Sequence, residues 1–383
     1  MKKLRTAIIG CGKVGTTHVQ AYRNLPNSDF SAVCDISQQN AEKFARDYDV
    51  PAYNDVAHMI RENSIDVVSI CTPHPLHAEL TVQAAEAGAS VICEKPLAAS
   101  LADCDRAIQA CDQANVQLGV ISQRRYYWPV VRMMKAIQDG KIGKPVIGTM
   151  EVMGWRSPEY YLMDSWRGKW KEEGGGVMVN QTPHQFDLLQ WMMGDIDELF
   201  GYWDNFNHPS VEIEDTALAV IRFKSGAIGQ IFVSNSQKPG LWGRVHVHGS
   251  NGASVGVQVE GGSSFVSGVT TAAAVEPPYN DIWTVPGEEA LQPVWKKEDA
   301  EKASQYDTMN YFHQLQIADF LEDVSLKRSP VIDGREGRKT VELFTAIYRS
   351  QRDRMPIKFP LEPEESDDFD GRLSYQQIGR AVV

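Results

Sequence analysis

One short segment constrains this chain more than any other. Gly10-Cys11-Gly12-Lys13-Val14-Gly15 directly follows the apolar run 6–9 and opens an amphipathic stretch. Glycine at 10 permits a tight turn, glycine at 12 lets backbone approach a pyrophosphate, and glycine at 15 lets helix and strand pack closely. A helix beginning at Lys13 and Val14 would turn free N–H groups and a positive dipole end toward phosphates. Asp35 stands twenty residues after Gly15, at the end of the second apolar run. Strand, glycine turn, helix and distant carboxylate together form a dinucleotide-binding signature.

The rest of the first third continues that rhythm. Apolar runs at 30–34, 67–70, 90–93 and 117–121 alternate with amphipathic stretches at 14–24, 38–48, 76–87 and 101–114. Strands so uniformly apolar need cover on both faces, which predicts a doubly wound parallel sheet, an α/β Rossmann domain over 1–122. Beyond 122 the pattern changes. Helices are expected at 126–138, 181–193, 311–326 and 337–350, with alternating strands at 216–223, 228–233 and 244–248. Lys224-Ser225-Gly226 reads as a hairpin turn, so 123–360 is expected to be an α+β domain on a mostly antiparallel sheet. Residues 261–302, rich in Gly, Ser, Pro and Ala, read as a long excursion. The acidic stretch 361–383 reads as a solvated tail, or alternatively as an arm docking on a neighbouring subunit through Leu373, Tyr375 and Ile378.

Composition excludes several classes. The 383 residues carry 38 Lys plus Arg against 50 Asp plus Glu, a net charge of −12, with no basic cluster. A nucleic-acid partner is not expected. No apolar run approaches the ~18 residues of a membrane span, and the N-terminal run is too short for a signal peptide, so a cytoplasmic protein is expected. The six cysteines show no CxxC pair and no zinc-ligand spacing. They are read as reduced structural thiols, with no metal expected.

Four groups of residues could bind the cofactor or carry chemistry. Asp35 favours NAD over NADP, because its carboxylate would repel a 2′-phosphate and Ile36-Ser37-Gln38-Gln39 offers no arginine. A role for Asp35 as helix N-cap is weaker, since Ser37 can fill it. Glu94-Lys95-Pro96 follows a strand at the end where open α/β sheets bind ligands, although the tripeptide alone could be a solvated turn. Residues 174–191 place His184 just after Pro183 at a helix start, where the dipole disfavours imidazolium; a neutral ring there could accept a proton. Judged by itself, His184 fits a structural role as well, and Asn180 could be an N-cap. Trp155, Tyr160, Tyr161, Trp166 and Arg167 form an aromatic and cationic segment without helical or strand period, suited to a sugar ring with apolar faces and hydroxyl edges.

Together and in this order, these motifs, with Thr72-Pro73-His74-Pro75-Leu76-His77 and residues 330–338, resemble the glucose–fructose oxidoreductase/inositol dehydrogenase/rhizopine-catabolism (Gfo/Idh/MocA) family over about 4–360. The resemblance implies a Rossmann domain, a second domain whose open sheet forms homodimers or homotetramers, and a carbohydrate or cyclitol substrate. It implies that Thr72, Pro73 and His77 lie along the cofactor, that Glu94 and Lys95 border the nicotinamide ribose, and that Gln123 lies near the nicotinamide. Trp166 and Arg167 match a pair that approaches the cofactor, and Lys95 and His184 match the catalytic Lys and His. Related inositol dehydrogenases commonly carry Asp where this chain has Asn180, which leaves the division of base work between Lys95 and His184 open. The expected function is hydride transfer between a secondary hydroxyl of a sugar, glycoside or cyclitol and NAD, with the ring 3-position of a glycoside as the finer expectation. The rival expectations are an NAD-dependent glycoside hydrolase acting by transient oxidation and elimination, and a non-catalytic NAD-binding sensor.

Overall fold

The computed structural model describes residues 3–259, 277–365 and 369–373. The chain divides into two units, 1–126 with 306–338, and 127–305 with 339–383.

The first unit alternates strands and helices as the pattern requires: β1 (Leu4–Ile9), α1 (Lys13–Asn24), β2 (Ser28–Cys34), α2 (Gln38–Tyr48), β3 (Ala52–Tyr53), α3 (Val56–Asn63), β4 (Val67–Ile70), α4 (His77–Glu86), β5 (Ser90–Cys93), α5 (Leu101–Ala114) and β6 (Leu118–Val120). All pairings are parallel, in the order β3-β2-β1-β4-β5-β6. That order reverses between β1 and β4, which opens a crevice at their carboxyl ends. Local chemistry marks the helix starts: Ser37, Asp55 and Ser100 accept from main-chain N–H groups of Asn40, His58 and Asp103.

The second unit holds α6 (Trp128–Gln138), β7 (Pro145–Met153), the short α7 (Pro158–Leu162) and α8 (Trp170–Glu173), and α9 (Pro183–Met193). Strands β8 (Ile196–Asp204), β9 (Thr216–Phe223), β10 (Ile228–Ser234), β11 (Trp242–Gly249) and β12 (Ser254–Val259) follow, then helix α10 (Leu291–Ala303). The predicted hairpin is β9 and β10, closed by Gly226 at φ 86°. With β13 (Ile357–Lys358) the sheet order is β12-β11-β7-β10-β9-β8-β13, antiparallel except for β10 on β7. One face of this sheet is apolar yet open: Tyr202, Leu218, Val220 and Ile228 are exposed.

Three expectations need correction. Residues 306–338 belong to the first unit, not to a continuous second domain from 123 to 360. The reason lies in α11 (Thr308–Leu326): its Ile317, Phe320 and Leu321 join Ile8, Val19, Tyr22, Ile92 and Ile121 in one core. Gln316 also bonds the Val120 carbonyl and the Ser122 N–H, each at 2.8 Å, and Asp333 bridges Gly119, so the β6 edge is covered. Second, residues 291–303 are the regular helix α10, fixed by the Arg132–Asp299 ion pair at 3.1 Å; residues 260–276 lie outside the described part. Third, residues 369–373 of the acidic tail pack on their own unit against α12 (Gly334–Asp353). Arg372 is fully buried among Phe344, Tyr348 and Phe369, and Asp370 pairs with Arg349 at 2.7 Å. Tyr375 and Ile378 lie outside the described residues. Among the described residues, no helix is long and apolar enough to cross a membrane.

The return of α11 gives a direct test. A Cβ on Gly119 would lie 2.8 Å from the Phe320 ring, so that ring already fills the space over β6. Phe320→Ala should lower the unfolding free energy by about 3–5 kcal/mol, measured by urea titration.

Candidate active site

The glycine turn behaves as its sequence requires. Gly10 sits at φ 102°, and a Cβ there would be 2.7 Å from the Cys71 carbonyl oxygen; at Gly15 a Cβ would be 2.4 Å from the Gly10 oxygen. At Gly12, by contrast, a Cβ would meet nothing within 4 Å, so the turn leaves open space in front of the helix start at Lys13 and Val14. Asp35 is locked at the end of β2, its two oxygens accepting from Cys11 N and Ser37 N at 2.8 Å each. Ile36 beside it is 96% exposed, a flat apolar surface next to a hydrogen-bonding carboxylate.

Across the crevice, Thr72 and Pro73 follow β4. Thr72 Oγ1 and, beyond β6, Gln123 Oε1 are buried without a hydrogen-bond partner. Buried polar atoms are rarely left unpaired, and a polar ligand such as a dinucleotide at these strand ends would satisfy them. The His77 ring is fully buried, bonded to the Pro96 oxygen at 2.7 Å and the Thr72 oxygen at 2.9 Å, so it straps two loops together. Glu94 also turns inward. Its Oε1 lies 3.0 Å from His18 Nε2 and 3.4 Å from His313 Nε2, while Oε2 accepts from Lys95 N at 3.1 Å. Burial alone would raise the Glu94 pKa, but hydrogen bonds from His18 and His313 hold it well below the usual carboxylate range. A histidine inside an amphipathic helix carries no motif, and sequence reasoning singled out neither His18 nor His313.

In the second unit, His184 is the second residue of α9 and 7% exposed. It is preceded by one π turn, Val177–Gln181, an irregularity often found at functional sites. That turn hangs from buried Glu214, whose oxygens accept from Gly176 N at 2.8 Å and Met178 N at 3.0 Å. Asn180 Nδ2 reaches buried Glu173 Oε1 at 2.5 Å and Tyr160 Oη at 3.2 Å. Tyr160 Oη also accepts from Gln181 Nε2 at 3.1 Å and from Arg167, whose guanidinium stacks on both Tyr160 and Trp166. Tyr160 and Tyr161 are buried rather than open-faced. Tyr161 and Trp155 pack on His208, which is held by Asp215 at 2.8 Å. Trp155 and Trp166 remain half-buried. Glu173, Glu214 and Gln181 had no sequence signal beyond being polar residues near a glycine run.

Sheet order, glycine turn and second-strand carboxylate define the class, a Rossmann-type dinucleotide-binding protein. Comparison with known proteins narrows it. An oxidoreductase family with an NAD-binding Rossmann fold matches residues 4–122, and the Gfo/Idh/MocA C-terminal domain matches 130–255. A myo-inositol 2-dehydrogenase of Thermotoga maritima is 32% identical over 256 residues, 65% of this chain and 74% of the relative. A D-apiose dehydrogenase of Paraburkholderia graminis is 26% identical over 94% of this chain and 90% of the relative. The WlbA dehydrogenase of Bordetella pertussis, solved with NADH and UDP-GlcNAcA, superposes with TM-score 0.79 at 28% identity, covering 94% of this chain and 100% of that one. The chain belongs to the Gfo/Idh/MocA family of nicotinamide-dependent oxidoreductases.

Glu214 yields a pH prediction. Burial pushes its pKa up to about 7 despite the two N–H bonds it accepts. The folded chain therefore keeps a proton that the unfolded chain loses above about pH 4.3, so this group's contribution to stability falls as pH rises toward 7. Glu214→Gln removes that titration. The urea midpoint of the variant, relative to wild type, should rise between about pH 5 and pH 7.5.

Proposed function

We propose that this chain is an NAD-dependent dehydrogenase acting on a secondary hydroxyl of a sugar, glycoside or cyclitol. The observation that carries the reading is one chain holding both a dinucleotide cradle with Lys95 at a neighbouring strand end and, in its second unit, His184 at a helix start above an Asn180–Tyr160–Arg167 cluster. The named relatives, a myo-inositol and an apiose dehydrogenase, support the substrate class.

The residues that would hold NAD are Gly10, Gly12, Lys13, Val14 and Gly15 at the phosphates, Asp35 and Ile36 at the adenosine, and Thr72, Pro73 and Gln123 along the crevice. NAD, when bound, supplies the hydride acceptor. Asp35 supports NAD over NADP, because its fixed carboxylate accepts ribose hydroxyls and repels a 2′-phosphate. Lys95 hydrogen-bonds the substrate oxygen and stabilises the negative charge that grows on it. His184 takes the hydroxyl proton at a ring nitrogen, its neutral form favoured by the helix start. Asn180 and Tyr160 orient hydroxyls, and the half-buried rings of Trp155 and Trp166 offer faces for a group beyond a single sugar, such as a glycoside oxidised at the ring 3-position. The open apolar face of the second sheet supports a homodimer or homotetramer.

The test is absorbance of reduced nicotinamide with a panel of sugars, glycosides and inositols, NAD and NADP in parallel. NADH should form with NAD, and glycosides should exceed the matching free sugars. Lys95→Ala and His184→Ala should each lower kcat by about 10²–10⁴-fold, with NAD affinity by calorimetry little changed. Near-wild-type kcat in either variant removes that residue's role, and NAD binding without any sugar-dependent signal removes the dehydrogenase reading.

A further inference from the structure

Beneath Lys95 lies a chain of buried polar groups that the proposed mechanism does not use. Tyr22 Oη and Ser69 Oγ are 2.6 Å apart, Ser69 Oγ and His18 Nδ1 2.8 Å, His18 Nε2 and Glu94 Oε1 3.0 Å, and Glu94 Oε1 and His313 Nε2 3.4 Å. His313 Nδ1 ends the chain at the Met309 carbonyl, 2.8 Å away. Every member is buried, and α1, β4, the end of β5 and α11 each contribute.

One proton is fixed by its acceptor: the Met309 carbonyl can only accept, so His313 Nδ1 carries hydrogen. Tyr22, Ser69 and His18 can each donate or accept; with Tyr22 donating to Ser69 and Ser69 to His18 Nδ1, His18 is neutral with hydrogen on Nε2, which it gives to Glu94. His313 Nε2 faces the same carboxylate oxygen, a contact that attracts only if Nε2 is protonated as well. A buried carboxylate also needs a counter-charge. Of the other groups around Glu94, the Cys71 and Cys93 thiols are pushed well up by burial, and the His77 ring nitrogens face the Pro96 and Thr72 carbonyls instead of the carboxylate.

We propose that His313 is a buried imidazolium that neutralises Glu94, and that this pair, oriented by His18, Ser69 and Tyr22, is the positioning device for Lys95. Glu94 Oε2 holds the Lys95 main chain through its N–H. The same pair shields the Lys95 ammonium from an otherwise uncompensated carboxylate one residue away. His18 and His313 are positioning residues; they touch neither substrate nor cofactor in this assignment. The inference rests on the reading of Lys95 as the group that donates to the substrate oxygen, with the alkaline limb of kcat reporting loss of its proton.

Two measurements on the full chain test it. Imidazole nitrogen NMR of the free protein at neutral pH, with His313→Gln and His18→Gln for assignment, should show both His313 nitrogens protonated and His18 carrying hydrogen on Nε2 alone. A neutral His313 overturns the proposal. In kinetics, His313→Gln leaves Glu94 without its counter-charge, which should hold the Lys95 proton harder and move the alkaline limb of kcat up by about 0.5–1 pH unit. The His313→Gln/Glu94→Gln double variant should return the limb to its wild-type position, a rescue that a purely structural defect would not give. An unshifted limb in His313→Gln overturns the charge role. Should the kinetic variants fold poorly, the wild-type spectrum alone still decides the protonation state. Lys95→Ala separates the two readings: full kcat there removes the role of Lys95, whereas the state of His313 is read without turnover.

Discussion

The carboxyl ends of a parallel sheet release the chain into loops just where apolar cover is densest, and every polar group in those loops must find a partner away from water. The first unit meets that constraint with three side chains. Asp35 takes the N–H groups of Cys11 and Ser37, His77 joins the carbonyls of Thr72 and Pro96, and Glu94 takes the N–H of Lys95. His77 ties two loops to α4, while Asp35 and Glu94 hold the loop segments that leave β2 and β5. Thr72 Oγ1 and Gln123 Oε1 stand outside that scheme, and their buried, unpartnered state makes sense once a ligand is expected in the crevice.

The second unit solves the same problem with carboxylates. Glu214 carries the N–H groups of the glycine segment, Asp215 holds His208 and the turn at 206–207, and Glu173 receives Gly168 N. Burial opposes the charge on Asp215, yet the bonds from His208 and the turn N–H groups hold it at about 2, whereas burial lifts Glu214 to about 7 despite the N–H bonds it accepts. Two adjacent acids are thus shifted in opposite directions, one by the hydrogen bonds it accepts and the other by burial.

The parallel sheet was legible because its signal is local and periodic. Each apolar run, each cap at Ser37 and Ser100, and the glycine turn depend on neighbours within about twenty residues. The return of α11 was not, because what binds it is a set of contacts two hundred residues apart, Gln316 to β6 and Phe320 to Gly119. Its sequence is an ordinary amphipathic helix, and nothing in the pattern says which sheet it covers. The tail misled for a related reason. A run of acids reads as solvated, but the element that docks is Arg372, a single cation with no periodicity around it. Asp35, Lys95 and His184 were singled out through motif position. Their supports, His18, His313, Glu173 and Glu214, are buried polar residues whose meaning exists only through partners supplied by other elements.

Asn180 shows how far such support reaches into chemistry. Related inositol dehydrogenases commonly have Asp at this position, and the substitution looks at first like the loss of a charge. In this chain the charge has a different address. Glu173 is 1% exposed and its Oε1 meets Asn180 Nδ2 at 2.5 Å. An aspartate at 180 would set two carboxylates within hydrogen-bond distance in a buried place, where both cannot ionise at neutral pH. The amide resolves that conflict, because Nδ2 donates both to Glu173 and to Tyr160. Anionic support for this part of the unit is therefore displaced to Glu173 rather than abolished.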